Sequence, residues 1–245
     1  MTLPIESDRN MFLVFGIPRS GTTWLGNLLS NANPEWMICH EAHKRDFDYD
    51  RWCAFQPWRA DSYVGNGRHD RIKDYIARKK PGAVGYGEVT PRARYFSASL
   101  VRQYPCAKCV HLVRDPRAAI PSMINYGYYH PELGRPHRRV APDSGRWTRE
   151  ERTAWAWAYG HNRIRQNVPD FVRFEDLLAD YDAVGALASK LGLVVDRALW
   201  EKKRAVKINQ SNPTHPLWKG YAPSMKRNVV KMCKEEAINY GYLAD

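Results

Sequence analysis

The stretch Met11-Phe-Leu-Val-Phe-Gly-Ile-Pro-Arg-Ser-Gly-Thr-Thr-Trp-Leu25 decides how this chain folds. Residues 11–15 are an unbroken apolar run, which is typical of a strand buried on both faces in a parallel sheet. A turn with Gly, Pro and Ser follows over residues 16–21, and residues 22–29 have the pattern of the first turns of a helix. A strand, a glycine-bearing loop and a helix N-terminus in succession aim backbone N–H groups at one point. Such a point attracts phosphate or sulfate.

The loop nearly matches the nucleotide-binding pattern G-x-x-x-x-G-K-[ST]. Gly16 and Gly21 have the required spacing, and Thr23 stands in the [ST] position. Thr22 replaces the lysine, and the cation of the loop is instead Arg19. Kinases of this class place the lysine on the β- and γ-phosphates. The loop is therefore predicted to bind a different anion.

This loop resembles the 5′-phosphosulfate loop of sulfotransferases that use 3′-phosphoadenylyl sulfate (PAPS) and release adenosine 3′,5′-bisphosphate. The cytosolic enzymes have Lys at the position of Arg19, whereas the tyrosylprotein branch resembles this chain in having Arg. The resemblance implies a catalytic role for Arg19 and stacking of Trp24 on adenine. The alternative for the loop is an ordinary β–turn–α connection. The alternative for Trp24 is a helix tryptophan that packs in the core. The implied donor-binding residues of the loop are Pro18, Arg19, Ser20, Gly21, Thr22, Thr23 and Trp24.

A second motif, Val113-Arg-Asp-Pro-Arg-Ala-Ala-Ile-Pro-Ser122, follows a predicted strand over residues 108–113. Arg114 ends the strand, and Ser122 lies two turns into the helix that Asp115 is predicted to cap. A cation and a hydroxyl placed in this way can hold a phosphate from two sides. The motif resembles the 3′-phosphate-binding segment of PAPS sulfotransferases, and with the following Met-Ile it looks most like the tyrosylprotein branch. The alternative is that Arg114 pairs with a carboxylate and Ser122 is solvated.

Transfer to a hydroxyl requires a group that takes the acceptor proton. Glu41 follows a predicted strand over residues 36–39, and the tyrosylprotein branch has its catalytic Glu in a similar place. His40 and His43 flank Glu41 and are alternatives. Glu88 lies in Gly-Glu-Val-Thr-Pro91, which looks like the Glu-Lys-Thr-Pro segment of heparan-type enzymes but has Val89 in place of the functional Lys. Glu41 is the predicted catalytic base, with a surface or ion-paired carboxylate as the alternative.

Two weaker resemblances lie further along the chain. The segment Arg173-Phe-Glu-Asp-Leu177 looks like the Tyr-Glu-Asp-Leu segment of sulfotransferases. The C-terminal part, from Trp218-Lys through Cys233 to Gly241-Tyr242, resembles that of carbohydrate 6-O-sulfotransferases.

Length and composition predict one α/β domain over residues 1–245, with a central parallel sheet flanked by helices and a P-loop-like topology. The chain has 245 residues, of which 44% are hydrophobic, and this is enough for a full core. Its formal net charge of +12 favours anionic partners. A nucleotide donor and an acidic acceptor both fit, whereas nucleic acid ranks last because no binding module for it is recognised.

The five cysteines, an odd number, suggest reduced thiols. Cys106 and Cys109 form a lone C-x-x-C, for which packing is favoured over a zinc site. Residues 1–10 are polar and lack the features of a signal peptide, and no run approaches the length of a membrane span. A cytoplasmic protein is the expectation, with no metal at its site.

Periodicity and turn signals predict the remaining elements. Strands are expected over 83–86 and 171–174, and helices over 70–80, 97–104, 118–126, 149–167, 181–191 and 225–240. A kink is expected at Pro121. Residues 45–67 and 202–221 are predicted to be irregular, and residues 130–149 to be a mobile loop or lid.

The motifs together predict in-line transfer of a sulfuryl group from PAPS to a hydroxyl. The loop N–H groups and Arg19 would stabilise charge on the leaving phosphate. The acceptor class stays open among a glycan, a peptide tyrosine, a lipid headgroup and a small phenol. The rival functions are a phosphotransferase that uses ATP and Mg²⁺, and a non-catalytic module that binds a nucleotide or an anionic polymer.

Overall fold

A computed structural model describes residues 8–42, 56–128, 141–206 and 213–244 of the chain. In this part, five parallel strands form one sheet: β1 (Met11–Phe15), β2 (Met37–His40), β3 (Tyr86–Thr90), β4 (Lys108–Val113) and β5 (Phe171–Arg173). Their order across the sheet is β2-β3-β1-β4-β5. All the pairings are parallel, so the carboxyl ends of the strands share one edge. That edge is where open α/β sheets bind ligands.

Helices cover both faces of the sheet. Their bounds are α1 (Thr22–Ala32), α2 (Pro57–Gly65), α3 (Arg68–Ala77), α4 (Ser97–Gln103), α5 (Pro116–Asn125), α6 (Arg149–Arg165), α7 (Phe174–Ala179), α8 (Tyr181–Leu191), α9 (Arg197–Arg204) and α10 (Pro223–Asn239). Helices α1, α7, α8 and α9 pack on one face, and the others contribute to the core on the opposite face. The chain therefore has the predicted α/β class, with a parallel sheet between two helical layers.

The first strand lies in the middle of this sandwich. All five of its residues are buried, and successive side chains enter opposite cores because strand side chains alternate. Met11, Leu13 and Phe15 join the core beneath α5, α6 and α10, whereas Phe12 and Val14 pack under α1 and α8. The apolar run that identified the strand is thus explained by its having helices on both sides.

The third strand lies further along the chain than predicted, over 86–90 instead of 83–86. Two glycines in and just before this strand, a residue type that weakens strands, have a packing reason. A Cβ on Gly87 would lie 2.1 Å from Cζ of Phe12, and a Cβ on Gly85 would lie 2.5 Å from the ring of Trp36. Glycine is therefore required where neighbouring aromatic rings lie against the backbone. Glu88, expected after the strand, is inside it.

The second strand also differs, because it ends at His40 rather than at Cys39. Strand β3 pairs with both β1 and β2. The ends of β1 and β2 are therefore not direct neighbours, although both reach the same edge of the sheet. We call the loop over residues 16–21 the anion loop. The strand order brings the residues after β3 between the anion loop and Glu41.

Several segments are more helical than predicted. Residues 57–65 form α2 and residues 197–204 form α9, where irregular chain had been expected over 45–67 and from 202 onward. Helix α9 is capped by Asp196, which accepts a hydrogen bond from the Leu199 N–H. Helix α5 runs through Pro121 and is capped by Asp115 as predicted. The predicted lid falls largely on residues 129–140, which lie outside the described residues, and residues 142–145 form a 3-10 turn.

Candidate active site

The loop after β1 closes onto the sheet by backbone hydrogen bonds. Gly16 N–H donates to the Thr90 carbonyl at 3.2 Å, and Ser20 N–H donates to the Ile17 carbonyl at 3.2 Å. Gly21 begins α1 from the left-handed region, at φ 91°, and no side chain caps the helix. The N–H groups of the first helical turn have no intrahelical partners, so the loop has the donor arrangement of an anion site.

Gly21 is required by packing as well as by its backbone angle. A Cβ at this position would lie 2.2 Å from Cδ2 of Phe174, the first residue of α7. The ring of Phe174 also meets the edge of the Trp24 ring, with centroids 5.6 Å apart. The segment 173–177, noted in the sequence only for a weak resemblance, therefore closes one side of the loop.

Arg19 is held in an unusual conformation by Ser122 of helix α5 and by Tyr126, the residue that follows this helix. Its φ is 70°, in the left-handed region that non-glycine residues seldom adopt. Its Nε donates a hydrogen bond to Ser122 Oγ at 2.9 Å, and its guanidinium lies 5.1 Å from the centre of the Tyr126 ring. Burial lowers the pKa of Arg19, but a guanidinium remains charged in a protein. The loop thus holds a partly desolvated cation beside its N–H groups.

Arg114 reaches the same loop from the end of β4. Its Nη1 donates to the Arg19 carbonyl at 2.8 Å, and its guanidinium lies 5.3 Å from the centre of the Phe174 ring. Burial lowers the pKa of Arg114, while the nearby carboxylate of Glu175 opposes that change. The structure brings Arg19, Arg114 and Ser122 together. The Ser122 hydroxyl contacts Arg19. That Arg114 and Ser122 hold one phosphate from two sides stays a prediction.

The C-terminal segment also reaches this region. Glu175 accepts a hydrogen bond from the Asp115 N–H at 3.1 Å and another from the Tyr242 hydroxyl at 2.8 Å. Burial raises the pKa of Tyr242, so the phenol stays protonated and can donate. These bonds tie α7 and the chain beyond α10 to the start of α5, and thereby position the Arg114 end of the site.

Trp24 lies in the core beside the loop. It is 4% exposed, and its Nε1 donates to the Lys203 carbonyl at 3.0 Å. This contact joins the first helix to α9. The contact of Trp24 with adenine stays a prediction.

The two threonines that follow Gly21 meet a side chain from β2. His40 Nε2 lies 3.2 Å from Thr22 Oγ1 and 3.3 Å from Thr23 Oγ1. The sequence suggests His40 as a neighbour of the predicted base Glu41 and as an alternative to it. No pattern in the sequence indicates that its ring lies against the anion loop, because the contact depends on how α1 packs on β2.

Glu41 follows His40 at the carboxyl edge of the sheet. Its N–H donates to the Val89 carbonyl at 3.4 Å, and its φ is 56°. Within the described ranges, Arg19 and Glu41 are the non-glycine residues with positive φ. Such strain is often found at functional sites. Arg19 and Glu41 are also the two residues that the sequence predicts to be catalytic, and that role stays a prediction. His43 lies outside the described residues.

Glu88, the other candidate carboxylate, is fully buried within β3. The Tyr86 hydroxyl donates to its Oε2 at 3.2 Å, and His69 Nε2 lies 3.8 Å from the same oxygen. Burial raises the pKa of Glu88 to about 8. At neutral pH the Glu88 carboxyl is therefore largely protonated, and it is buried away from the carboxyl edge of the sheet. For both reasons it is poorly placed to take a proton from an acceptor bound at that edge.

Neither a metal-ligand cluster nor a membrane-spanning helix is found among the described residues. They contain no group of three or more His, Cys, Asp or Glu that could hold a metal ion. In the same ranges, no helix combines the length and the apolar character needed to cross a membrane. Cys106 is exposed and Cys109 half-buried, and both are free thiols.

One loop atom bears on whether a phosphate group would fit. Ser20 is fully buried, and its Oγ has no hydrogen-bond partner in the described part of the chain. Buried hydroxyls are usually hydrogen-bonded, and a phosphate or sulfate oxygen is a suitable acceptor. The donor set of N–H groups, hydroxyls and two arginines therefore fits an anion of this kind.

Comparison with solved structures places this arrangement in the sulfotransferase fold with its P-loop-like topology. Sulfotransferase STF9 from Mycobacterium avium superposes with a TM-score of 0.59 at 15% identity, covering 98% of this chain and 78% of that one. Sulfotransferase STF1 from Mycobacterium tuberculosis gives 0.56 at 16% identity, covering 93% and 78%. Mouse sulfotransferase SULT7A1, complexed with PAP, gives 0.50 at 14% identity, covering 95% and 86%. At these identities the likeness establishes the fold alone. No protein-family model and no curated protein sequence matches the chain.

Proposed function

We propose that this chain transfers a sulfuryl group from PAPS to a hydroxyl acceptor. The observation that carries the proposal is the meeting of two anion-binding motifs at Arg19. Its side chain contacts Ser122 and its carbonyl accepts from Arg114. Two motifs remote in sequence thus form one cationic site, at the sheet edge where ligands bind in such folds. The sulfotransferase fold of the solved structures supports the same function.

The two sides of the site would bind the two charged ends of the donor. The backbone N–H groups of residues 19–24 and the Ser20 hydroxyl would hold the phosphosulfate. Pro18, which has no N–H, would shape the loop. Arg114 and Ser122 would hold the 3′-phosphate and so distinguish PAPS from ATP. Trp24, which borders the loop and is 4% exposed, would contact adenine. Mouse SULT7A1 was solved with PAP, which supports a nucleotide of this class.

PAPS supplies a sulfuryl group that already has a good leaving group. The bond from sulfur to the 5′-phosphate oxygen breaks as the bond to the acceptor oxygen forms, and Arg19 stabilises the charge that appears on the phosphate. The stabilisation is electrostatic and depends on groups held in place before reaction. Ser122 of helix α5 and the ring of Tyr126, which follows the helix, hold Arg19 in this way.

Glu41 would take the proton of the acceptor hydroxyl. It stands at the end of β2, separated from the anion loop by the end of β3. The strained backbone of Glu41 supports this assignment, because such conformations persist where the surrounding structure fixes them. His40 is occupied with the loop threonines, and the carboxyl of Glu88 is buried within the sheet.

The acceptor carries a hydroxyl group, and the formal charge of +12 favours one that is acidic. Glycans, peptide tyrosines, lipid headgroups and small phenols all satisfy this description. A single domain over 1–245 and a cytoplasmic location belong to the same proposal, on the arguments from length and cysteine content.

The decisive experiment incubates the protein with sulfur-labelled PAPS and a panel containing each of these acceptor classes. We expect at least one product with the added mass of a sulfate, and loss of that product with Arg19→Ala. A parallel arm contains ATP and Mg²⁺. Turnover in that arm alone would favour a phosphotransferase, and tight nucleotide binding without turnover on the whole panel would favour a non-catalytic module.

A further inference from the structure

Helix α5 ends at Asn125, whose side-chain amide is tied to a segment 90 positions further along the chain. Its Nδ2 donates to the His215 carbonyl at 3.1 Å, and its Oδ1 accepts from the His215 N–H at 2.8 Å. Nδ2 also donates to the Pro121 carbonyl at 2.9 Å. One end of the amide meets carbonyls and the other meets an N–H, so a single orientation of the amide satisfies all three bonds. Asn125 thus clamps the backbone of His215 to the end of the helix.

The segment that Asn125 holds, residues 213–221, is itself fixed to the core. His215 Nε2 lies 3.0 Å from the Tyr221 hydroxyl oxygen and 3.5 Å from Glu150 Oε1 on α6. Tyr221 is 4% exposed and belongs to the core cluster that contains residues of α5, α6 and α10. The clamp therefore joins the end of α5 to a point that core packing holds in place.

The residues beside Asn125 are those that contact Arg19. Ser122, about one turn earlier, accepts a hydrogen bond from Arg19 Nε at 2.9 Å. The ring of Tyr126, the residue directly after Asn125, lies 5.1 Å from the Arg19 guanidinium. Tyr126 is 65% exposed, so the place of its ring depends mainly on the backbone at the end of α5. That helix is weakened by Pro121, which removes one backbone hydrogen bond.

We propose that Asn125 is a positioning residue, which acts through the end of α5 to hold the guanidinium of Arg19 in the place that transfer requires. The inference rests on the proposed function and adds to it a residue whose own hydrogen bonds are with α5 and the 213–221 segment. Stabilisation by a fixed cation depends on its position, because a displacement of about 1 Å can remove a large part of the rate. Loss of the clamp should therefore lower the rate only while the Arg19 side chain is present.

The chain offers a matched control in Asn33, at the opposite end of α1 from the anion loop. Asn33 Nδ2 donates to the Val194 carbonyl at 2.9 Å and to the Leu29 carbonyl at 3.0 Å, and its Oδ1 accepts from the Val194 N–H at 3.0 Å. Asn33→Ala and Asn125→Ala thus remove equivalent bonds at two helix ends. Because Asn33 is buried and Asn125 half-buried, the control should lose at least as much stability. A general effect of lost stability on the rate would appear in both variants.

The first test is a double-mutant cycle on the single-turnover rate, with PAPS and an acceptor found in the panel described above. Asn125→Ala should lower the rate roughly tenfold, which is part of the loss expected in Arg19→Ala. In an Arg19→Ala background, the same substitution should change the rate by less than about twofold, because residues that act as one unit are not additive. Asn33→Ala should change the rate by less than about twofold in both backgrounds.

The second test needs no turnover, because it measures the surroundings of the Tyr126 ring. Tyrosine rings are labelled with carbon-13, and the NMR signals of Tyr126 are assigned by their loss in Tyr126→Phe. These signals should move in Arg19→Ala, because the ring loses the guanidinium over its face. They should move in the same direction in Asn125→Ala and keep their wild-type positions in Asn33→Ala.

The two tests separate the role of Asn125 from the proposed function. Unmoved Tyr126 signals in Asn125→Ala, or an equal loss of rate with and without Arg19, would overturn the role of Asn125 and leave the proposed function intact. A wild-type protein that transfers nothing from PAPS on the whole panel would overturn the proposed function and, with it, the catalytic part of this inference.

Melting curves establish that each variant is folded. If Asn125→Ala does not fold, Asn125→Ser replaces it in both tests, with Asn33→Ser as its control. The serine hydroxyl can still bond to the Pro121 carbonyl one turn earlier, but it is too short to reach His215. The same losses of rate and movements of the Tyr126 signals are expected in Asn125→Ser, and their absence would overturn the role of Asn125.

Discussion

Arg114 donates a hydrogen bond from Nη1 to the main-chain carbonyl of Arg19 at 2.8 Å, across 95 positions of sequence. The bond satisfies one carbonyl of a loop that otherwise presents N–H donors. It also fixes the carbonyl group of Arg19, the residue with the positive φ. The bond therefore contributes to holding the strained backbone of Arg19 in place. Arg114 is therefore expected to act in two ways, as a ligand for phosphate and as a support for the loop.

The predicted 3′-phosphate site of Arg114 and Ser122 should give the protein a preference among nucleotides. PAPS or adenosine 3′,5′-bisphosphate should raise the melting temperature far more than ATP or adenosine 5′-phosphosulfate, because ligands stabilise the state that binds them. Ser122→Ala should reduce this preference while keeping the Arg114 bond to the loop. Arg117→Ala is the matched control, since Arg117 is on the same helix and pairs with Asp115. Equal stabilisation of the wild type by ATP would contradict the assignment of a 3′-phosphate site.

The side chain of Arg19 is predicted to act mainly on the rate. Arg19→Ala should lower turnover roughly 10²-fold or more, the scale of a lost electrostatic donor at a transition state. Nucleotide binding should weaken less, because the loop N–H groups remain. Arg19→Lys keeps a charge but cannot reproduce the guanidinium contacts with Ser122 and Tyr126, so we expect an intermediate rate. Single-turnover kinetics measure these rates directly, and an unchanged rate in Arg19→Ala would remove the residue from the mechanism.

Glu41 is predicted to be the general base. Glu41→Gln keeps the shape and the hydrogen-bonding capacity of the side chain but cannot take a proton. It should leave PAPS binding nearly intact and lower turnover roughly 10²- to 10⁴-fold, the range for a positioned base. Glu88→Gln and His43→Ala are the comparison variants. Normal turnover in Glu41→Gln together with an inactive comparison variant would place the base elsewhere. A charge-only role would give a smaller loss that high salt reproduces.

The buried carboxyl of Glu88 should make stability depend on pH. Its pKa is raised from 4.5 to about 8 in the folded protein, so between these values the folded state binds a proton that the unfolded state has lost. This contribution to stability is fully present below pH 4.5 and is lost as pH rises through about 8. The slope approaches about 1.4 kcal/mol for each pH unit in that interval.

Urea unfolding at several pH values between 5 and 8 tests this dependence when wild type and Glu88→Gln are compared. The amide cannot ionise, so the variant should gain stability relative to the wild type as pH rises. A difference that stays constant over the interval would show that Glu88 ionises alike in both states.

Local patterns in the sequence were enough for most elements. The run 11–15, the strand 108–113 and the helix 181–191 have the predicted bounds. Val229, Cys233 and Ala237, four residues apart, are buried on one face of α10 as their spacing indicates. The anion loop and the motif over residues 113–122 could be predicted from the sequence. Each needs particular residue types within a short stretch, because the backbone turns sharply at the end of a strand.

The sequence by itself determined the α/β class, the anion loop and the choice of residues that the proposed site contains. Only the tertiary structure decided that β3 lies between β1 and β2, that Ser122 contacts Arg19, that His40 meets two loop threonines, and that Glu88 is buried. The reason is the range of the interactions. Helix caps, turns and apolar periodicity depend on residues a few positions apart. Strand order and contacts between side chains remote in sequence depend instead on how distant segments pack into a shared core. The glycines of β3 show this most clearly, because Gly87 weakens the strand locally and is required there by the ring of Phe12.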